Sequence, residues 1–204
     1  MMIQPHQRDR ARIVAQHEMG HYVMAKAMGF TSGEVTLTLL GHDGHKAGAT
    51  IYLEEPFESI EQVRRYLERR VVVNFAGAIA ETLPRDSSPI RGADRERAGV
   101  IIKGITCESD YGKAREAIAM LRNIQHPGTL DPDEASEQKQ QIYDRLWKRS
   151  ADLVEQFEIT IVGVAGALTQ RLTREGKLDS YSATLSEDVL TNIPAILAIP
   201  KLEP

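Results

Sequence analysis

Apolar positions along the chain recur mostly at three- and four-residue steps, which is the spacing of a helix face. From Asp9, a residue type that caps helices, the residues Ile13, Val14, Tyr22, Val23 and Ala27 supply apolar faces up to Gly29, where a helix commonly ends. Two β-prone segments follow, GEVTLTLL and AGATIYL, on either side of GHDGHK, whose Asp43-Gly44 pair favours a tight turn; together they predict a hairpin. After Pro56 a long helical pattern carries Ile60, Val63, Leu67, Val71, Phe75 and Ala78 and stops at Pro84. PRDSSPIRG is composed as a loop, and a short helical segment runs from Ala93 to Gly104. Ser109 is placed to cap a further helix, DYGKAREAIAMLRNI, which His126-Pro127-Gly128 breaks. From about Pro132 to Leu178 charges alternate with Ile142, Leu146, Leu153, Phe157, Ile161, Val164 and Leu168, predicting one or two long helices.

The pattern predicts an α+β, mainly α fold with a small β-hairpin or sheet and a helical C-terminal extension. The 204 residues suffice for one domain of ordinary size, with a core over about residues 9–126 and a helical part over about 132–204. Composition narrows the class. Hydrophobic residues at 42% and charged residues at 26% argue against wholesale disorder, and 5% aromatic residues favour an aliphatic core. A net charge of -4 disfavours general nucleic-acid binding. The single cysteine, Cys107, allows no internal disulfide, which fits a reducing, cytoplasmic setting. The charged start argues against a signal peptide, and VVVNFAGAIA and ITIVGVAGAL are about half the roughly 20 residues of a membrane span, so none is expected.

Within the first helix stands His17-Glu18-Met19-Gly20-His21, the HExxH spacing. Residues four apart share a helical face, so both imidazoles can reach one metal ion, and zinc suits imidazole nitrogen. Glu18 is then placed to act as general base toward a metal-activated water. Three protein ligands and one open position are the rule for catalytic zinc, so a third ligand must come from elsewhere. Gly20 inside a helix costs up to about 1 kcal/mol against alanine, and it suggests close packing or room beside the metal.

ARIVAQHEMGHYVMAKAMG, EVTLTLL, KAGATIY, VVVNFAGAIAETL and ESDYGKAREAIAMLR occur in an order that resembles the peptidase domain of FtsH-type zinc metallopeptidases, over roughly Arg12 to Arg122. The resemblance implies a helical zincin-like peptidase domain, with His17 and His21 as Zn2+ ligands and Glu18 as the catalytic base. It also implies Asp110 as the third ligand, where a plain reading is an acid in a first helical turn. Asp94, in RGADRERA, competes for that role at a spacing from AIAE nearer the family's. Glu81 competes too, because other HExxH enzymes take a helix glutamate; the family pattern makes it a residue that orients a ligand histidine. Met19 stands where the family has alanine. The segment from Ala47 to Leu53 matches a strand near the family's cleft, either an edge that holds an extended peptide or a plain hairpin strand. His42 and His45 are candidate extra ligands or solvated turn residues, and Cys107 a candidate ligand or a buried thiol.

No GxxxxGK[ST] phosphate loop occurs, so the chain resembles the peptidase domain alone, without ATPase domain or membrane segments. The implied substrate is a peptide or an unfolded protein. Two protein partners are left open: further copies of this chain in a homo-oligomer, and a separate ATPase. A second class of function keeps the peptidase fold without turnover, as a metal-binding or protein-interaction module.

Overall fold

The computed structural model describes residues 3–41, 44–84, 91–176 and 180–202. Helix α1 (Pro5–Ala27) begins four residues before Asp9: Pro5 occupies its first position, and the Gln4 N–H donates to Gln7 Oε1 at 3.2 Å. Proline has no N–H to lose in a first turn, which is why the earlier start wins. The helix ends as the glycine predicts. Gly29 takes φ +79°, its N–H donates to Lys26 O, and the Phe30 N–H donates to Ala25 O, a paired C-terminal cap.

Strands β1 (Thr31–Leu40) and β2 (Gly44–Tyr52) form the predicted hairpin, longer than GEVTLTLL and AGATIYL and with His45 and Lys46 inside β2. His42 and Asp43 lie outside the described residues, as does most of PRDSSPIRG (85–90). Next come α2 (Ile60–Ala80), capped by Ser59, and α3 (Arg95–Ile102), capped by Asp94. A single 3-10 turn (Ile105–Cys107) leads into α4 (Glu108–Gln125), which begins before Ser109 and places Asp110 in its first turn. Ser109 is therefore not its cap.

The long C-terminal pattern divides into α5 (Pro132–Gln156) and α6 (Glu158–Gln170) at Phe157. Beyond them the helical extension is corrected: β3 (Thr173–Glu175) and β4 (Ser180–Leu185) are strands, followed by the short helices α7 (Glu187–Thr191) and α8 (Pro194–Leu197). The sheet is antiparallel in the order β2-β1-β4-β3. β4 is strand because its apolar residues alternate and meet those of β1: Leu185 opposite Val35, Ala183 opposite Leu37, Tyr181 opposite Leu39, all buried.

One contiguous buried cluster runs through all of this. Helix α1 lies at its centre, packed on α2, on α6 and on strands β1 and β2, while α2 packs in turn on α4 and α5. Gly20 lies where α1 packs tightly on α2. A Cβ there would sit 2.6 Å from Ala80 Cβ and 2.7 Å from Ala76 O, so close packing is the reason for this glycine. Among the described residues no helix is long and apolar enough to cross a membrane.

Candidate metal centre

His17 and His21 project from α1 toward the facing stretch of α2, where Gly77 makes room for them. A Cβ on Gly77 would stand 2.5 Å from His21 Nε2 and 2.7 Å from His17 Nε2. Asp110 enters from the first turn of α4. The three donor atoms converge: His17 Nε2 to His21 Nε2 is 2.9 Å, His21 Nε2 to Asp110 Oδ2 is 3.1 Å, and His17 Nε2 to Asp110 Oδ2 is 3.3 Å.

The outer ring nitrogens decide what these inner ones carry. His21 Nδ1 lies 2.8 Å from the carbonyl of Val73, an acceptor only, so Nδ1 holds a hydrogen and, in the neutral ring, Nε2 carries the lone pair. His17 Nδ1 donates in the same way to Glu81 Oε1 at 2.7 Å. With both rings neutral, two imidazole lone pairs and a carboxylate oxygen would face one another at about hydrogen-bond distance. Only a positive charge among them, a proton or a metal ion, removes the repulsion.

The donor set fits a metal. Bonds of roughly 2.0–2.1 Å in a tetrahedron place donors about 3.3 Å apart, within a few tenths of the separations here. His17, His21 and Asp110 form a group of possible ligands, and His17, Glu81 and buried Cys107 form another that shares His17. The first is the better built, since it uses the inner nitrogens and leaves Glu81 to orient His17. Cys107 Sγ stands 3.9 Å from Glu81 Oε1, beyond that outer contact.

Electrostatics agree with this arrangement. Burial works against a charge on His17, yet hydrogen bonds to Asp110, Cys107 and Glu81 outweigh it and raise its pKa well above the ordinary value. Burial likewise opposes ionisation of Asp110, but the two histidines hold its carboxyl well below the usual carboxylate range. The site is sheltered without being sealed: the side chains of His17, His21 and Asp110 are 10–18% exposed.

A cleft of about 920 Å³ opens over these residues, lined by α1, β2, α2 and α4. Glu18 lines it and has no hydrogen-bond or ion-pair partner among the described residues. Ala47, Gly48, Ala49, Ile51 and Leu53 form its other wall. Among the described strands β2 pairs with β1 alone, so its second edge is open. Asp94 is elsewhere: its carboxylate accepts from the Arg97 N–H at 3.0 Å, capping α3, and it belongs to neither possible ligand group. His45 is exposed on β2, 3.2 Å through Nδ1 from Arg10 Nη2. Met19 is fully buried, on the side of α1 opposite His17 and His21.

Sequence reasoning left out Gly77 and the Val73 carbonyl. A mid-helix glycine in AGAIAE was the visible signal for the first. The second had none, because a backbone carbonyl carries no residue type. The chain matches no family model and no curated protein sequence.

Proposed function

We propose that this chain is an FtsH-like zinc metallopeptidase that hydrolyses bonds in peptides or unfolded protein. The observation that carries the reading is the convergence of two imidazole nitrogens and a carboxylate oxygen on the floor of an open cleft, beside an unpartnered glutamate. His17, His21 and Asp110 would hold the ion, and Glu81 and the Val73 carbonyl keep both rings turned the right way. When bound, zinc polarises a scissile carbonyl and makes water a better nucleophile.

The remaining work falls to the chain. Glu18, adjacent to His17 and free of competing partners, takes the proton of the attacking water and passes it to the leaving amine nitrogen. The open edge of β2 offers main-chain hydrogen bonds to an extended peptide, a contact that discriminates little between sequences. A lone, buried Cys107 suits a reducing compartment, and we place the protein in the cytoplasm.

The test is elemental analysis of the purified protein, set beside cleavage of an unfolded substrate such as casein. About one zinc per chain is expected, lost in His17→Ala and Asp110→Ala and retained in Asp94→Ala. Glu18→Gln is expected to keep zinc while cleavage falls at least about a hundredfold. No metal after reconstitution overturns the metal reading. Iron in place of zinc points to the facial-triad chemistry that the same donors support. Zinc without cleavage by the wild type favours the metal-binding or interaction module.

A further inference from the structure

Helix α2 carries four arginines, and three are spoken for. Arg64 pairs with Glu61 and Glu68, Arg65 with Glu61, and Arg69 with Glu55. Arg70 is different: half-buried, it lines the cleft and has no carboxylate partner among the described residues. The acids nearest the metal centre do not serve it, since Glu81 and Asp110 are taken up by the histidines.

A second observation lies one turn further along the same face. Asn74 lines the same cleft, is 7% exposed, and buries its Nδ2 without a hydrogen-bond partner. Buried amide groups are rarely left unmatched, and a role at a site, or a water or ion held there, is a usual reason when they are. Spacing i, i+4 makes Arg70 and Asn74 neighbours on one face of the helix. Seven residues separate Arg70 from Gly77, which touches both imidazoles. That is about 10 Å along the helix axis, a distance that an arginine side chain and one peptide residue together span.

We propose that Arg70 and Asn74 form a carboxylate-binding subsite of the cleft, and that the peptide accepted here presents a carboxylate next to the bond over the metal centre. The guanidinium fork matches a carboxylate with two parallel hydrogen bonds, which an ammonium or a neutral amide cannot reproduce. A turn of the Asn74 amide about its last torsion brings its Nδ2 to the adjoining main chain and completes the site. The carboxylate has two sources in a peptide, an acidic side chain and a free C-terminus. The choice of a peptide as ligand rests on the peptidase reading; the carboxylate preference rests on Arg70 and Asn74 alone.

Binding is therefore read without cleavage. The full chain with Glu18→Gln, zinc-loaded and again after chelation, is titrated against fluorescein-labelled alanine-rich peptides by fluorescence anisotropy. One peptide carries a central Glu and an amidated end, one a central Gln and an amidated end, one a central Gln and a free carboxylate, and one a central Lys. At least tenfold tighter binding of a carboxylate peptide over the amidated Gln peptide is expected, with the better of the two naming the source. Arg70→Gln should bring the peptides within about twofold, and Arg70→Glu should turn the preference to Lys, a gain that misfolding cannot produce. Equal affinities in the starting protein overturn the proposal. So does a preference that survives Arg70→Gln, or one that vanishes on chelation, which would put the carboxylate on the metal. A protein that never cuts a peptide bond but keeps the Arg70-dependent preference would sink the peptidase reading and leave the subsite standing.

Discussion

Helix α2 meets α1 along one side and α5 along the other, and the two seams are built in opposite ways. Toward α1 it presents small residues, Ala76, Gly77 and Ala80, against Gly20, so the backbones approach until a single Cβ would clash. Toward α5 it presents Phe75, whose ring meets Tyr143 at 5.0 Å and Trp147 at 5.2 Å, both edge to face. Even the backbone is used on both sides. The Val72 carbonyl accepts from Ser150 Oγ of α5 at 2.9 Å, and the next carbonyl, Val73, accepts from His21 of α1 at 2.8 Å. The first bond closes a packed seam, whereas the second orients a histidine of the candidate metal centre. Bulk holds helices together with some tolerance of shape, but bringing two ring nitrogens within 2.9 Å of each other demands that bulk be absent.

The bulky seam carries the larger share of stability. Phe75→Ala should cost about 3–5 kcal/mol of stability in urea denaturation, with metal stoichiometry kept in the fraction that folds. Loss of metal at an unchanged denaturation midpoint would show that the two seams are not separate in role. Gly77→Ala is the reverse case: a smaller penalty of about 1–3 kcal/mol from overpacking, but with metal binding lost because the imidazoles are pushed apart. Elemental analysis and a melting curve on the same sample read both. A fully loaded Gly77→Ala protein would mean that the close approach has no bearing on the site.

At the α1 seam, Glu81→Ala removes the acceptor for His17 Nδ1. Metal affinity should fall by about ten- to a hundredfold, measured by competition with a chromogenic chelator. An unchanged affinity would assign the orientation of His17 to packing.

The smallest effect is a pH dependence of the metal-stripped protein. His17, ordinarily near 6.5, has its pKa raised on folding, so its contribution is complete below that value and lost as pH rises through the folded one. Asp110, ordinarily near 3.8, has its pKa depressed, so its contribution is present above that value and lost as pH falls through the folded one. Stability without metal should therefore peak between about pH 4 and 6.5 and decline on the alkaline side, and zinc should abolish that decline by replacing the proton. Denaturation midpoints from pH 4 to 9 with and without chelator test this, and identical curves would contradict it.

Much of this was legible without coordinates. Periodicity placed α1, α2, the hairpin and the α5–α6 stretch because each carries its apolar face within a few turns of its own sequence. HEMGH placed two imidazoles and a carboxylate on one helix, since i, i+4 spacing is a local property. β4 was missed because six residues alternating as Tyr181, Ala183 and Leu185 become a strand only beside β1, about 140 positions earlier. Asp9 and Ser109, both good capping types, lost their expected places to a proline start and to a 3-10 turn that runs straight into α4.

The sequence by itself determined which helix carries the histidines and which residues have ligand chemistry. The tertiary structure decided which acid joins them: Asp110 faces both inner nitrogens, Glu81 the outer nitrogen of one ring, and Asp94 only the end of its own helix. It decided, too, that Gly77 must have no side chain and that Arg70 faces the cleft. The reason is range. A helix face is set by neighbours three and four residues away, but the meeting of positions 17, 21, 77, 81 and 110 depends on how three helices cross, and no short stretch of sequence carries that.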